Sequence, residues 1–266
     1  MSSAIWKYHG LGNDFILADR RGLPDLPGDV TRAACARHTG IGADGILSWT
    51  EQDGRPHMRV FNADGSTADM CGNGLRCFVR WLIDTQGFSA EPMTIMSDAG
   101  PQHCIPVVEN GVVIAVTVNL GAAQHDGTVE VSAGGRDYNG HCLFVGNPHY
   151  VISRAPEPGE VASIGPLLST HVAFPRGVNV GWLDVTSENS ARLVVYERGA
   201  GLTQACGTGG GGAVATAVLR GEMSADESLV VVQPGGELRY RVALDFGSVA
   251  MTGPATAVFS GTTNLF

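Results

Sequence analysis

Alternating apolar and polar residues predict short strands along most of the chain, interrupted by a few segments of helical character. Residues 4–19 are typical of two strands joined by a glycine-containing turn. Residues 31–39 are predicted to form a short helix. Two longer apolar segments, residues 75–83 and 213–219, have the spacing of helices, and each follows a glycine-rich stretch. The pattern therefore predicts a chain built mainly of strands, with a helix after each glycine-rich stretch.

The two glycine-rich stretches have the same layout. Residues 61–74 begin with an aromatic residue and end in Cys-Gly-Asn-Gly, and residues 196–209 begin with an aromatic residue and end in Cys-Gly-Thr-Gly. In both, the cysteine lies ten positions after the aromatic residue, and Cys206 follows Cys71 by 135 residues. A Gly-Asn pair recurs at nearly the same offset, with Asn147 lying 134 residues after Asn13.

A repeat of this length indicates a duplicated domain, because solenoid repeats have periods of about 20–50 residues. We expect an N-terminal half, residues 1–117, that carries Cys71, and a C-terminal half, residues 118–254, that carries Cys206. The tail, about residues 255–266, is predicted to pack on the N-terminal half. Each half then contributes one reactive cysteine.

Charge and hydrophobicity narrow the class of partner. The formal net charge of −9 argues against nucleic acid or an anionic membrane as the main partner. No apolar run approaches the roughly 18 residues that a membrane helix needs. The first ten residues lack the pattern of a secretory signal, so we expect a cytoplasmic location.

The cysteines and the single lysine bear on cofactors. None of the six cysteines forms a Cys-x-x-Cys pair, which argues against a structural metal site, and four of them are expected to be buried apolar side chains. Pyridoxal phosphate needs a lysine for its Schiff base, and Lys7 is the only lysine in the chain and lies outside any motif. We therefore expect neither a metal nor an organic cofactor.

The Cys-Gly-x-Gly motif places a sulfur at or just before the start of a helix, where the helix dipole favours a thiolate. The glycines allow a ligand to approach the backbone N–H groups, which suits a carboxylate. Two such sites can supply a base and an acid on opposite sides of one carbon. That combination is suited to inverting the α-carbon of an amino acid by proton transfer.

With these motifs the chain resembles the diaminopimelate epimerase family over essentially its whole length. The resemblance rests on residues 9–15, 40–45, 61–65, 70–74, 146–149, 177–179, 197–199 and 205–209. It implies an α+β fold of two pseudo-symmetric domains, each a curved, mainly antiparallel sheet or barrel around a central helix, with the site between them. It also implies a pyridoxal-independent isomerase that interconverts LL- and meso-2,6-diaminopimelate in lysine and cell-wall precursor biosynthesis. Diaminopimelate would be its small-molecule partner, and a homodimer stays open.

The resemblance also assigns roles to residues. It implies that the acid/base pair is Cys71 and Cys206, and that the reacting carboxylate is held by backbone N–H groups of Gly72, Asn73, Gly207 and Thr208. The polar groups of the substrate, chiefly at its distal end, would be bound by Asn13, Asn62, Asn147, Asn179 and Arg198. Glu197 would meet an ammonium group, and His149 would support the site.

Three alternatives stay open at this point. A related racemase or epimerase could act on another amino acid, such as histidine or hydroxyproline. The two cysteines could instead form a thiol redox switch, or the protein could bind an amino acid without catalysis. One departure from the family is the run Gly210-Gly-Gly212, which is expected to loosen the first turn of the second helix because glycine is unfavourable there.

Overall fold

The computed structural model describes residues 2–265, so Met1 of the predicted N-terminal half and Phe266 of the predicted tail lie outside the described residues. The chain divides into two compact units. The first comprises residues up to Val118 together with the stretch that starts at Gly253, and the second comprises Asn119–Thr252.

Apart from one strand, the elements follow one another in the same order in each unit. The first contains β1 (Ser3–Gly10), β2 (Asn13–Asp19), α1 (Gly28–Cys35), β3 (Gly45–Gln52), β4 (Arg55–Asn62), β5 (Thr67–Ala68), α2 (Gly72–Thr85), β6 (Met93–Ser97), β7 (Gly100–Glu109) and β8 (Val112–Asn119). The second contains β9 (Gln124–Ala133), β10 (Arg136–Val145), β11 (Asn147–Ile152), α3 (Glu160–Ser169), β12 (Asn179–Ser187), β13 (Ser190–Glu197), β14 (Gly201–Leu202), α4 (Gly207–Leu219), β15 (Leu229–Gln233), β16 (Gly236–Val242) and β17 (Val249–Gly253). The last strand, β18 (Thr256–Thr263), belongs to the first unit.

Strand pairing repeats as well. In the first unit the strands run β18–β1–β2–β3–β4–β6–β7–β8, with only the β2–β3 and β4–β6 pairs parallel. In the second they run β9–β10–β11–β12–β13–β15–β16–β17, with only the β11–β12 and β13–β15 pairs parallel. The predicted pseudo-symmetry of two mainly antiparallel sheets is therefore confirmed.

Each sheet packs around one helix. α2 contacts β1, β2, β4 and β7, and α4 contacts strands β10 to β13 together with β15 and β16. Along α2 the side chains of Leu75, Phe78, Val79, Trp81 and Leu82 are buried. Trp81 contacts the rings of Trp6, Trp49 and Phe78. Aromatic burial of this kind makes a large contribution to the stability of a core. No helix in the described part of the chain is long and apolar enough to span a membrane.

Three helix boundaries differ from those expected. α1 covers Gly28–Cys35 rather than residues 31–39, because Pro27 precedes it with φ −59° and the backbone becomes extended at Ala36. α2 and α4 begin at Gly72 and Gly207, earlier than the apolar spacing indicated. Both early turns are rich in glycine and carry little apolar pattern, so periodicity alone could not detect them.

Candidate active site

Cys71 caps the N-terminus of α2. Its backbone is extended, with φ −140° and ψ 115°, and its Sγ accepts a hydrogen bond from the Gly74 N–H at 3.4 Å. The predicted position of this sulfur at a helix start is confirmed. Cys71 is partly exposed.

Cys206 occupies the same position on α4. Its Sγ accepts a hydrogen bond from the Gly209 N–H at 3.3 Å and lies 3.7 Å from the Thr208 hydroxyl oxygen. The Cys206 N–H donates to Gln233 Oε1 at 2.8 Å, and Gln233 Nε2 donates back to the Cys206 carbonyl at 3.4 Å. Gln233 therefore fixes the backbone of this cysteine, which the motif itself did not indicate.

The residues expected to hold a carboxylate lie in the first turns of these helices. Gly72 and Asn73 are the first two residues of α2, and Gly207 and Thr208 are the first two of α4. N–H groups at these positions have no partner within their own helix and point along the positive end of its dipole. Each unit thus combines a sulfur with an anion-binding helix start.

Glu197 lies close to Cys206, which its predicted role in binding the substrate did not indicate. It ends β13, and its Oε1 accepts a hydrogen bond from the Thr203 hydroxyl at 2.6 Å. Burial raises the pKa of the Glu197 carboxyl, and hydrogen bonds from Thr203 and from the Cys206 thiol partly offset that rise. A thiol that donates to a carboxylate can pass its proton to it.

The pKa of the Cys206 thiol is well above its ordinary value. Burial is the main cause and the charge of Glu197 the second, while the Gly209 N–H and Thr208 act in the opposite direction. The helix start was expected to favour the thiolate, but desolvation of a 4% exposed residue outweighs that effect. Burial therefore favours the protonated thiol at Cys206.

Two asparagines of the first unit make defined hydrogen bonds. Asn13, at the start of β2, donates from Nδ2 to Asp44 Oδ2 at 2.8 Å and accepts at Oδ1 from Asn73 Nδ2 at 3.2 Å. Asn62, at the end of β4, donates to the Ser66 hydroxyl at 2.9 Å. Asp44 contacts both asparagine segments. Its side chain accepts from Asn13, and its backbone carbonyl accepts from the N–H of Ala63, the residue after Asn62.

In the second unit, two predicted site residues carry buried polar atoms without a hydrogen-bond partner. They are Asn147 Oδ1 and His149 Nε2. Burial lowers the pKa of His149 to about 3, so its ring is neutral at physiological pH. Both atoms remain able to accept or donate a further hydrogen bond.

The remaining predicted residues of this unit are linked to one another. The buried Asn179 accepts at Oδ1 from the Arg198 N–H at 2.8 Å, and it pairs across parallel strands with His149. Arg198 itself is exposed, and its Nη1 donates to the Arg176 carbonyl at 2.5 Å. Within this unit the fold thus links Asn179 to Arg198 and to His149, and Glu197 to Cys206.

The glycine run at the start of α4 is a packing requirement. A Cβ on Gly210 would lie 2.1 Å from the Tyr240 hydroxyl oxygen, and that hydroxyl donates to the Gly207 carbonyl at 2.9 Å. The run does not loosen the helix as expected, since α4 is continuous from Gly207 to Leu219. Tyr240 takes the space of the missing side chain and supports the first turn.

Substitutions within this run are therefore expected to have opposite effects. Gly210→Ala should lower the free energy of unfolding by about 1–3 kcal/mol, because Tyr240 cannot move without losing its hydrogen bond. At Gly212 the nearest atoms to a new Cβ are 3.4 Å away, an ordinary contact. Gly212→Ala should be stabilising by up to about 1 kcal/mol through helix propensity. Urea unfolding of both variants checks this, and equal shifts would contradict the packing explanation.

Four charged groups cluster at the turn that carries Asn13. Asp14 forms ion pairs with Lys7 at 2.7 Å and with Arg37 at 2.7 Å, and Arg37 also pairs with Asp44 at 2.6 Å. Lys7 is only 6% exposed and donates to the Gly42 carbonyl as well. The one lysine of the chain is thus committed to this cluster.

The cluster predicts a pH-dependent contribution to stability. Although burial opposes it, hydrogen bonding to Arg37 and Lys7 lowers the pKa of Asp14 from 3.8 to about 2. A depressed pKa stabilises the fold above the unfolded value, and this stabilisation is lost as the pH falls through the folded value. The advantage of wild type over Asp14→Asn should shrink by about 1–2 kcal/mol between about pH 5 and about pH 2.

Chemical unfolding at several pH values measures that advantage. Asp53→Asn, in the exposed turn between β3 and β4, controls for the loss of one carboxylate. An advantage of Asp14 that stays constant over this range would refute the assignment.

In the described part of the chain, no group of three or more His, Cys, Asp or Glu residues is placed to hold a metal ion.

Known proteins share this arrangement over most of the chain. The family model described as diaminopimelate epimerase matches residues 5–126 and 142–258. Diaminopimelate epimerase of Moorella thermoacetica is 38% identical over 275 residues, covering 96% of this chain and 97% of that protein. Diaminopimelate epimerase of Synechococcus sp. strain JA-3-3Ab is 40% identical over 281 residues, covering 97% and 96%.

Solved structures share the fold at much lower sequence identity. A hydroxyproline epimerase from Agrobacterium vitis, solved with bound trans-4-hydroxy-L-proline, has a TM-score of 0.75 at 15% identity and covers 98% of this chain and 91% of that chain. A PhzF-family phenazine biosynthesis protein from Bacillus anthracis has a TM-score of 0.76 at 14% identity and covers 99% of both chains. These two likenesses show the fold alone.

Proposed function

The chain belongs to the diaminopimelate epimerase family and is an isomerase, and we propose that it interconverts LL- and meso-2,6-diaminopimelate through its two N-cap cysteines. The observation that carries this proposal is the matched geometry of Cys71 and Cys206. Each sulfur accepts a hydrogen bond from the N–H three residues further on, at the start of a helix that two glycines open. The same geometry in both units supplies two equivalent groups for proton transfer.

In the proposed reaction, one cysteine acts as a thiolate and removes the α-proton. The other acts as a thiol and donates its proton to the opposite face of the carbon, so the configuration inverts and the overall proton count is unchanged. Negative charge develops on the substrate carboxylate between the two transfers. The N–H groups of Gly72, Asn73, Gly207 and Thr208 are the proposed donors to that charge, and preorganised donors of this kind stabilise such a transition state strongly.

Glu197 is proposed to exchange a proton with the Cys206 thiol during the reaction. Glu197 lies close enough to Cys206 for its charge to raise the pKa of the thiol, and burial raises the pKa of both groups. A substrate ammonium group close to Cys206 would favour the thiolate electrostatically, and Glu197 is the group proposed to receive the thiol proton. This role adds to the ammonium contact that the sequence motif implied for Glu197.

The asparagines, His149 and Arg198 are proposed to support and bind the substrate, chiefly at its distal amino-acid end. Arg198 presents an exposed guanidinium, which matches a carboxylate in shape and charge. Asn147 Oδ1 and His149 Nε2 are buried and lack partners, so a bound ligand or an ordered water would satisfy them. The remaining members of this proposed set are Asn13, Asn62 and Asn179.

Proton exchange at the α-carbon tests the proposal directly. The protein is incubated in deuterated water with LL-diaminopimelate, histidine or trans-4-hydroxyproline, and α-deuterium is measured by mass spectrometry. We expect rapid exchange only with diaminopimelate, together with formation of the meso isomer. Faster exchange with another amino acid would assign the chain to a different racemase, and calorimetric binding without exchange would show a binding protein.

The proposal includes a cellular setting. Diaminopimelate chemistry of this kind serves lysine and cell-wall precursor synthesis, and a reducing cytoplasm would keep both thiols available. Lys7, the only lysine, is paired with Asp14 at 2.7 Å, which agrees with a reaction that uses no pyridoxal phosphate.

We also propose a homodimer that covers β18. Seven of its eight residues are exposed, including Val258 at 54% and Phe259 at 47%. An exposed apolar strand of this kind is typical of an interaction surface. Light scattering after gel filtration should show a dimer that Phe259→Glu dissociates, and a monomeric wild type would refute it.

A further inference from the structure

A continuous chain of hydrogen bonds runs through Asn13. Arg76 Nη2 donates to Asn73 Oδ1 at 2.9 Å, and Asn73 Nδ2 donates to Asn13 Oδ1 at 3.2 Å. Asn13 Nδ2 then donates to Asp44 Oδ2 at 2.8 Å. Four side chains from three separate segments of the first unit are thus linked in one direction.

The two ends of this chain determine its polarity. A guanidinium can only donate and an ionised carboxylate can only accept, whereas each asparagine amide can be turned either way. With Arg76 at one end and Asp44 at the other, only one orientation satisfies both amides. Asn13 must therefore direct Oδ1 towards Asn73 and Nδ2 towards Asp44, without relying on a choice between nitrogen and oxygen positions.

Asp44 is itself held in place by several bonds. Its Oδ1 accepts from Arg37 Nη2 at 2.6 Å, and its Oδ2 accepts from the Asp14 N–H at 3.1 Å as well as from Asn13. Its own N–H donates to the Asp14 carbonyl at 2.9 Å. The carboxylate therefore provides a rigid acceptor next to the amide.

We propose that Asp44 is a positioning residue that locks the Asn13 amide for recognition of one end group of the substrate. In this state Asn13 has one N–H and one oxygen lone pair left to offer. That pair suits an end group with both an acceptor and a donor, as the carboxylate and ammonium of an amino acid provide. The inference rests on the proposed function, in which Asn13 contacts the substrate.

Comparison of equivalent positions in the two units shows that only the first unit has a carboxylate that orients the asparagine amide. The residue 135 positions after Asp44 is Asn179, which accepts from the Arg198 N–H instead of orienting the neighbouring asparagine. The counterpart of Asn13 is Asn147, whose buried Oδ1 has no partner. The amide of Asn13 is therefore held in one orientation by its neighbours, whereas the amide of Asn147 is not. Such a difference suits a substrate whose contacts with the two units are not the same.

Asp44→Asn tests the proposal with almost no change in shape. Asparagine can donate as well as accept, so it no longer enforces the Asn13 orientation. We expect KM for diaminopimelate to rise about tenfold while kcat changes less than about threefold. The matched control is Asp19→Asn, which removes a carboxylate from the other end of β2, where it pairs with Arg21 at 2.7 Å. That control should leave KM unchanged.

A double-mutant cycle separates positioning from general support of the fold. If Asp44 acts through Asn13, Asp44→Asn should change KM less than about twofold in an Asn13→Ala background. A tenfold effect that persists without Asn13, or a KM unaffected by Asp44→Asn alone, would overturn the inference. Thermal unfolding of each variant shows whether it is folded.

A measurement that needs no activity keeps the two proposals distinct. In the free protein, the one Nδ2 proton of ¹⁵N-labelled Asn13 that is bonded to Asp44 should exchange slowly with water and become fast in Asp44→Asn, with the signal identified by its loss in Asn13→Ala. Fast exchange in wild type would refute the lock even if the enzyme is active. If wild type shows slow amide exchange but no α-proton exchange with diaminopimelate, the proposed function fails and the lock stands as a structural feature.

Discussion

Replacing either Cys71 or Cys206 with serine should lower the rate at which meso-diaminopimelate forms from LL-diaminopimelate by about a thousandfold, because inversion needs both groups and a hydroxyl ionises far less readily than a thiol at neutral pH. Each cysteine caps its helix through a hydrogen bond from a backbone N–H, and serine is a good N-cap residue. The fold should therefore persist while the chemistry is lost. Exchange in deuterated water, together with formation of the meso isomer, measures the effect.

The matched control is Cys142→Ser, a partly exposed cysteine on β10 that has no proposed role. Assays on fully reduced protein separate acid/base chemistry from a redox switch. A switch without catalysis would show no exchange even in reduced wild type. Because the two thiols act on one reaction, the double variant should be about as impaired as either single variant. Formation of the meso isomer at the wild-type rate in either single variant would contradict the two-cysteine mechanism.

Replacing Arg198 with methionine should raise KM for diaminopimelate by about 10–100-fold, with a smaller change in kcat. A hydrogen bond to a charged group contributes about 1.5–3 kcal/mol, and this variant removes the guanidinium proposed for the distal carboxylate. The Arg198 N–H to Asn179 bond comes from the backbone, so it survives the substitution. The side chain loses its 2.5 Å bond to the Arg176 carbonyl, which lies at the surface.

Arg192→Met is the control, since Arg192 is an exposed arginine on β13, the strand that ends just before Arg198. It removes the same charge from the protein without touching the proposed site, so KM should stay near the wild-type value. Equal effects of the two substitutions would indicate a long-range influence of net charge, and an unchanged KM in Arg198→Met would remove Arg198 from the binding set.

Motif spacing was sufficient for the features that depend on neighbours along the chain. The Cys-Gly-x-Gly motifs predicted sulfurs at helix starts, and both cysteines are N-caps. The shared offset of about 135 residues predicted a duplication, and both units have the same strand pairing. These features follow from local backbone preference and from repetition, which a sequence displays directly.

Contacts between distant segments were not accessible in this way. Gln233 holds the backbone of Cys206 although it lies 27 residues later, and Tyr240 fills the space above Gly210 from another strand. The glycine run looked like a weakness because helix propensity is a local quantity, whereas the packing that requires it is not. Asp44 likewise could be recognised as a turn residue but not as the partner of Asn13.

The sequence by itself determined the two-fold repeat and the position of both cysteines at helix starts. The tertiary structure alone decided the protonation of Cys206, since desolvation by the surrounding core and the charge of Glu197 outweigh the favourable helix start. It also decided the orientation of Asn13, which depends on a donor and an acceptor from other segments. Both properties depend on side chains that are distant in the sequence and close only in the folded chain. Contacts of that kind produce no periodic pattern in the sequence.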